Sequence, residues 1–270
     1  MRSRTTSERL RNCRVWASSH ETCESVRRSE TEGIQRVDVV IRVWHDVATR
    51  QPLMIDEVPG LEFFPIPHLY RYKGQWVPHS VTQVLGFDMS PSKRQAIDRT
   101  KGGPDGWEAR GNTCHKALDQ YLGSMKLQNG HGVIYEDRWA DWIDPLLDHP
   151  IFQGVEVLAT EYAVYDKQKN CAGSFDFLLR TTSSEDKRII LGDLKTVSSK
   201  KALAARKPAD AQLAAYQSML VSAHRTLAVT DLVTVVCGPG ETRILNTDVE
   251  TAWTHWDEAW GRYSVTLPNW

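Results

Sequence analysis

The residues with the clearest chemical potential are Asp193 and Lys195, which close the apolar run Ile189-Ile190-Leu191-Gly192. In a strand, residues two apart point to the same side, so Asp193 and Lys195 project together while Leu194 enters the core. An acid and an amine side by side suit hydrolysis of a phosphodiester: the carboxylate holds a divalent cation, and the lysine orients water or offsets charge in the transition state. The pattern acid-x-Lys is loose, since Glu185-Asp186-Lys187 also satisfies it, in a polar turn. Asp176 supplies context. It interrupts the apolar segment Ala172-Gly173-Ser174-Phe175-Asp176-Phe177, and a carboxylate there is costly to bury unless paired or bound to metal. Set beside Asp193 by a neighbouring strand, it would give two carboxylates for one hard cation; on the surface, it would be an edge aspartate facing water. Gly173 permits close backbone approach at the strand's entrance. Glu161, in Ala159-Thr160-Glu161-Tyr162, is a further candidate ligand or a supporting group.

These residues need strands and helices to place them. Segments 155–165, 174–179 and 188–196 read as strands separated by polar turns, hence an antiparallel meander. A helix is expected over 107–125, with Leu118, Tyr121, Leu122 and Met125 on its buried face. His115 lies one turn before Leu118; read alone, it is a core histidine. A second helix is expected over 202–222, then a strand over 231–237 ended by Gly238-Pro239-Gly240, and a last helix over 249–263. The stripe Trp253, Trp256, Trp260 on that helix is expected in the core. This order of helix, three strands, helix and strand is an α/β core.

Upstream, 37–43 reads as a strand, 69–77 as a hairpin turning at Lys73-Gly74, and Ser80 with Gln83 as the cap of a short helix starting at Val81. The stretch Lys101-Gly102-Gly103-Pro104-Asp105-Gly106 is a strong break. The expected organisation is therefore a polar, mobile leader over 1–35, an elaboration over 36–104, and the core over 105–270. Acids at Glu8, Glu21, Glu24 and Glu30 argue against a transit peptide in the leader.

The chain has 270 residues, 41% hydrophobic and 25% charged, with a net charge of −1. No apolar run reaches bilayer length, so no membrane span is expected. With an almost neutral chain, a nucleic-acid surface must be local. The candidates are Lys200, Lys201, Arg206 and Lys207, and a second group of Lys93, Arg94, Arg99, Lys101 and Arg110; either could equally be a solvated face. The five cysteines, Cys13, Cys23, Cys114, Cys171 and Cys237, form no Cys-x-x-Cys pair, which fits free thiols in a reducing cytoplasm. No Gly-x-x-x-x-Gly-Lys-Ser/Thr loop occurs, so a helicase or recombinase partner would be a separate polypeptide.

Four segments in order resemble the RecB-like and Cas4-like branch of the PD-(D/E)XK nucleases: Gly111-Asn112-Thr113-Cys114-His115, Gly173-Ser174-Phe175-Asp176, Asp193-Leu194-Lys195, and Gln212-Leu213-Ala214-Ala215-Tyr216. The resemblance covers about 106–237 and extends more weakly to 70–85, which looks like the entry segment of phage-type members. It implies a restriction-endonuclease-like α/β core. It also implies Mg²⁺, or Mn²⁺ in its place, held by His115, Asp176 and Asp193, with Lys195 orienting the nucleophile. Gln212 and Tyr216, sharing one helical face, would support Lys195 or contact the strand. The family's iron–sulfur cysteines are missing, so no cluster is expected, and the cluster-free members are the better comparison. The expected activity is a DNA exonuclease on ends or single strands, in repair, recombination or phage DNA processing. Two alternatives remain open: a sequence- or structure-specific endonuclease on the same core, and an inactive DNA-binding relative.

Overall fold

The computed structural model describes residues 55–103, 105–127, 132–183 and 185–268, together with the backbone of three strands nearer the N-terminus: β1 (Val15–Ser18), β2 (Glu21–Glu30) and β3 (Val37–Trp44). The central element is a six-stranded mixed sheet. Its long hairpin is formed by β9 (Val155–Asp166) and β10 (Cys171–Thr181), antiparallel along nearly their whole length. Strand β11 (Ile189–Thr196) runs antiparallel to β10, completing the expected meander. Strand β12 (Asp231–Gly238) then joins β11 in parallel, and β13 (Glu241–Thr247) folds back on β12.

Alternation along the strands sends successive residues to opposite faces, and each face has its own core. Leu191 and Leu232 join Phe175, Leu213, Tyr216 and Trp256 on one side. Ile190 and Val233 join Leu118, Leu122, Ile143 and Leu146 on the other. The first core is closed by α1 (Val81–Gly86), α6 (Asp210–Ala223) and α7 (Val249–Ser264); the second by α3 (Trp107–Leu127) and α4 (Ala140–Leu147). The chain is thus an α/β protein with helices on both faces of a mixed sheet.

Several elements depart from expectation. The helix expected over 202–222 is two, α5 (Lys200–Ala205) and α6. Pro208 explains the break, since it lacks an N–H and disfavours helical geometry at Lys207. Gly238-Pro239-Gly240 ends β12 as expected, but it also turns the chain, with Gly240 at φ +76°, into a returning strand, β13, that was not expected. The tryptophan stripe divides: Trp256 is 1% exposed, whereas Trp253 is 39% exposed and donates to Gln217 Oε1. Arg110, grouped with the basic candidates for a nucleic-acid surface or solvated face, is buried against the Trp142 ring.

The stretches on either side of the break at Lys101–Gly106 share sheets. Strand β7 (His79–Ser80) pairs in parallel with β10, and β3 pairs with β8 (Val133–Glu136). The segment 1–35, expected as a mobile leader, contributes β1 and β2 to the same four-stranded sheet. Strand β2, polar in composition, lies between β1 and the β-branched run of β3, and pairing with β3 stabilises strand geometry that its own composition does not favour. Residues 1–14, 19–20 and 31–36 lie outside the described residues. A third, small sheet is formed by β4 (Leu61–Phe64), β5 (Leu69–Tyr72) and β6 (Gln75–Trp76), with the Lys73-Gly74 turn between the last two as expected. Ser80 caps α1 by accepting from the Gln83 N–H, and Ser90 caps α2 (Pro91–Arg99) by accepting from the Lys93 N–H. No helix of the described residues is long and apolar enough to cross a membrane.

Candidate active site

The site lies where the sheet forks. Strand β11 pairs with β10 only from Arg180 back to Phe177, which faces Gly192, while β7 pairs with β10 at Cys171 and Ala172. Beyond Gly192, β11 stays with β12 and leaves β10. The next residues outward from the last rung are Asp176 and Asp193, which therefore face each other across the opening. Gly192 is required at that rung, because a Cβ would lie 1.9 Å from the Phe177 ring.

Asp176 bridges the fork. Its Oδ2 accepts from the Leu194 N–H, and its Oδ1 lies 2.8 Å from His115 Nδ1 on α3. Glu161 reaches the same place from β9. The ladder pairs Tyr162 with Phe175 and Thr160 with Phe177, so Glu161 stands opposite Asp176. Its φ of +46° is left-handed and unfavourable for a residue with a Cβ, costing about 1–3 kcal/mol, the kind of strain that clusters at functional sites. Glu161 Oε1 lies 4.0 Å from His115 Nδ1. Ligand atoms of His115, Glu161 and Asp176 all fall within 4.8 Å of one another.

Asp193 has a different environment. It is 3% exposed, with Oδ2 2.6 Å from Lys195 Nζ and Oδ1 accepting from Gln212 Nε2 at 2.9 Å. The Lys195 contact is an ion pair to an oxygen that is itself buried. Gln212 Nε2 also donates to Tyr216 Oη at 2.8 Å. The Tyr216 ring is seated against Gly173, where a Cβ would lie 2.5 Å from its Cε1 atom. Gly173, Tyr216, Gln212, Asp193 and Lys195 thus form one line of support from β10 through α6 to the end of β11. Leu194, between the acid and the amine, is buried in the second core.

Electrostatics follow from this crowding. Burial disfavours a charged His115, but the charge and hydrogen bond of Asp176, with Asp193 and Glu161 nearby, raise it to about 9. Burial likewise opposes ionisation of Asp176, yet His115, Lys195 and the Leu194 N–H hold it below the usual carboxylate range. Asp193 goes the other way: burial, with repulsion from Asp176, outweighs Lys195 and raises it. Glu161 is pushed up to about 7 by burial and then by Asp176. Burial also raises the Tyr216 phenol well above its ordinary value. Fully ionised, the three carboxylates of Glu161, Asp176 and Asp193 would outnumber the two cations, His115 and Lys195.

All of His115, Glu161, Asp176, Asp193, Lys195, Gln212 and Tyr216 meet at the fork. Within it, Glu161 belongs to the tight donor cluster, whereas Asp193 is turned toward Lys195 and Gln212. The prominence of Glu161 was not legible in the sequence, because it depends on a backbone twist in the middle of β9. Lys200, Lys201, Arg206 and Lys207 are exposed on α5 and the segment after it, a few residues past Lys195. A cleft of about 480 Å³, walled by β4 and by β9 residues 158–163, opens beside Glu161. No protein-family model and no curated protein matches the chain.

Proposed function

We propose that the chain is a divalent-metal-dependent nuclease with a PD-(D/E)XK-type core, hydrolysing phosphodiester bonds of DNA at ends or in single strands. The observation that carries this reading is the fork itself: Asp176 and Asp193 face each other across it, Lys195 lies beside Asp193, and His115 and Glu161 complete a nitrogen–oxygen donor set. The residues fit a hard cation. Three donors lie within 4.8 Å of one another, none of them a thiol, and a nitrogen–oxygen set of this kind suits a hard divalent ion. His115, Glu161 and Asp176 would hold Mg²⁺ or Mn²⁺, with Asp193 at its margin. A bound cation would polarise a phosphate oxygen and make a nearby water more acidic.

The chain's own groups supply the rest. To donate a lone pair His115 must be neutral, so its proton has to leave before the site is competent. Lys195 Nζ, held by Asp193, carries the positive charge that would face the phosphate as negative charge develops, and it can orient the attacking water. Gln212 keeps Asp193 aimed, and Tyr216 keeps Gln212 in place. The exposed lysines and arginine of the α5 region would meet the backbone of the substrate. Digestion of closed circular and linear DNA carrying labelled ends, with Mg²⁺ and with EDTA, tests the reading. Release of labelled nucleotides from linear substrate alone supports end-dependent hydrolysis and reveals polarity. Nicking of the circle points to an endonuclease, and no cleavage of either substrate refutes the proposal.

A further inference from the structure

The small sheet beside the fork carries aromatic and cationic groups that the hydrolytic centre does not use. Tyr70 and Tyr72, two apart on β5, share one face. Tyr70 Oη donates to Ser174 Oγ at 3.2 Å, and the Tyr72 ring stacks on Tyr165 with centroids 4.4 Å apart. Both partners belong to the β9–β10 ladder, Ser174 opposite Ala163 and Tyr165 opposite Ala172. Strand β5 therefore leads from Ser174, two residues from Asp176, to the Tyr72–Tyr165 stack. The four steps along the strand from Asp176 to Ala172 span ~13 Å, the length of roughly four stacked nucleotides of one strand.

At the far end of this path Lys73 Nζ lies 5.5 Å and Lys167 Nζ 5.9 Å from the Tyr72 ring centroid. Both lysines are exposed, and neither pairs with a carboxylate among the described residues. The neighbouring acids are already engaged, Asp166 with Lys169 at 3.5 Å and Glu62 with Arg71. The Tyr165 hydroxyl is held by Asn170 Oδ1 at 2.8 Å, which fixes its ring. Tying the small sheet to the ladder needs the tyrosines but not two uncompensated ammonium groups over a ring. Aromatic faces stack on any nucleobase and ammonium groups meet phosphates, so the pair suits a strand whose bases are free; a duplex keeps its bases stacked inside.

We propose that Tyr72, Tyr165, Lys73 and Lys167 form a docking track for a single-stranded polynucleotide running to or from the fork; this rests on the nuclease reading. The test is binding of fluorescein-labelled oligothymidine and of a blunt duplex of equal length to the full chain in EDTA, followed by anisotropy over a salt series. Tyr72→Ala should weaken oligothymidine binding about tenfold or more, leave duplex binding within about twofold, and be rescued by Tyr72→Phe, which keeps the ring. Lys73→Gln combined with Lys167→Gln should lower the slope of log affinity against log salt by about 1.4. Both lysines are exposed, so that variant decides the matter if Tyr72→Ala fails to fold. Wild-type affinity and slope in these variants, or equal loss toward the duplex, overturns the track. Binding needs no turnover: the expected losses in a protein that never cleaves keep the track and remove the nuclease reading, and cleavage with unaffected binding does the reverse.

Discussion

Gly173→Ala adds a single methyl group, and the structure says where it goes. The new Cβ would lie 2.5 Å from Tyr216 Cε1 and 3.1 Å from Val81 Cγ2. Tyr216 is 2% exposed and packed among Phe175, Leu213 and Met219, so its ring has no free direction. To restore ordinary contact the ring must move by roughly 1 Å. Overpacking of this kind costs about 1–3 kcal/mol, offset by about 0.4–1 kcal/mol from the reduced freedom of the unfolded chain. The net is a loss of up to about 2.6 kcal/mol, a fall of up to about 10 °C in melting temperature. The functional effect should be larger. Tyr216 Oη holds Gln212, and Gln212 holds Asp193, so the displacement passes to the Asp193–Lys195 pair. Misplacement of reacting groups by about 1 Å costs ~10²-fold in rate. The assays are thermal melting and single-turnover cleavage of labelled DNA. Tyr216→Ala should remove the stability penalty of Gly173→Ala, a coupling of about 1–3 kcal/mol. A Gly173→Ala protein that melts with the wild type and cleaves as fast would refute the argument that Gly173 seats the line of support.

The two central aspartates should respond oppositely to neutralisation. Asp176 is held ionised by its partners, so Asp176→Asn should lower the melting temperature in EDTA; Asp193 is driven toward its neutral form, so Asp193→Asn should raise it, and shifts of the same sign would contradict the assignment. His115, raised to about 9, contributes stability that is complete below its ordinary value and lost as pH climbs through 9. Glu161, raised to about 7, contributes stability that is lost as pH climbs from its ordinary value through 7. The protein in EDTA should therefore melt progressively lower from pH 6 to 9.5, while Mn²⁺ affinity rises over the same window as protons leave; a melting temperature that climbs with pH in EDTA would oppose this. His115→Gln should fold, bind Mn²⁺ more weakly by calorimetry, and cleave faster with Mn²⁺ than with Mg²⁺, whose geometry is more demanding; normal cleavage in a protein that merely melts early would return His115 to the core.

Much of this site could be read from local pattern because its residues sit on short-range periodicities. Asp193 and Lys195 share a strand face by their spacing, as Gln212 and Tyr216 share a helix face, and the turns between 155 and 196 dictate antiparallel neighbours for Asp176. Helix α3 was visible through Leu118, Tyr121 and Leu122, which placed His115 near the sheet. What local pattern lacks is the fork. Nothing in the run 189–196 announces that β11 abandons β10 after Gly192, since that depends on parallel pairing with β12, more than thirty residues later. Glu161 is hidden from local pattern for a related reason: its left-handed backbone is held on both sides by the long β9–β10 ladder. The polar strand β2 shows the same effect, taking its conformation from pairing with β3 rather than from composition. Pro208 and the Gly238–Gly240 turn were legible signals whose consequences, a split helix and a returning strand, required the tertiary context to draw.

The central claim is that this fork hydrolyses phosphodiester bonds with a divalent cation, and that Lys195 acts on the reaction rather than on the fold. The most direct test is single-turnover digestion of end-labelled single-stranded DNA by the wild type and Lys195→Ala, each first titrated calorimetrically with Mn²⁺. The account predicts that the wild type cleaves in Mg²⁺ or Mn²⁺ and stops in EDTA. It predicts that Lys195→Ala still binds Mn²⁺ and DNA but cleaves at least ~10²-fold more slowly, the loss typical of removing one preorganised group that stabilises developing charge. A folded wild-type protein that binds no divalent cation and cuts no DNA, or a Lys195→Ala protein that cuts at the wild-type rate, would contradict it.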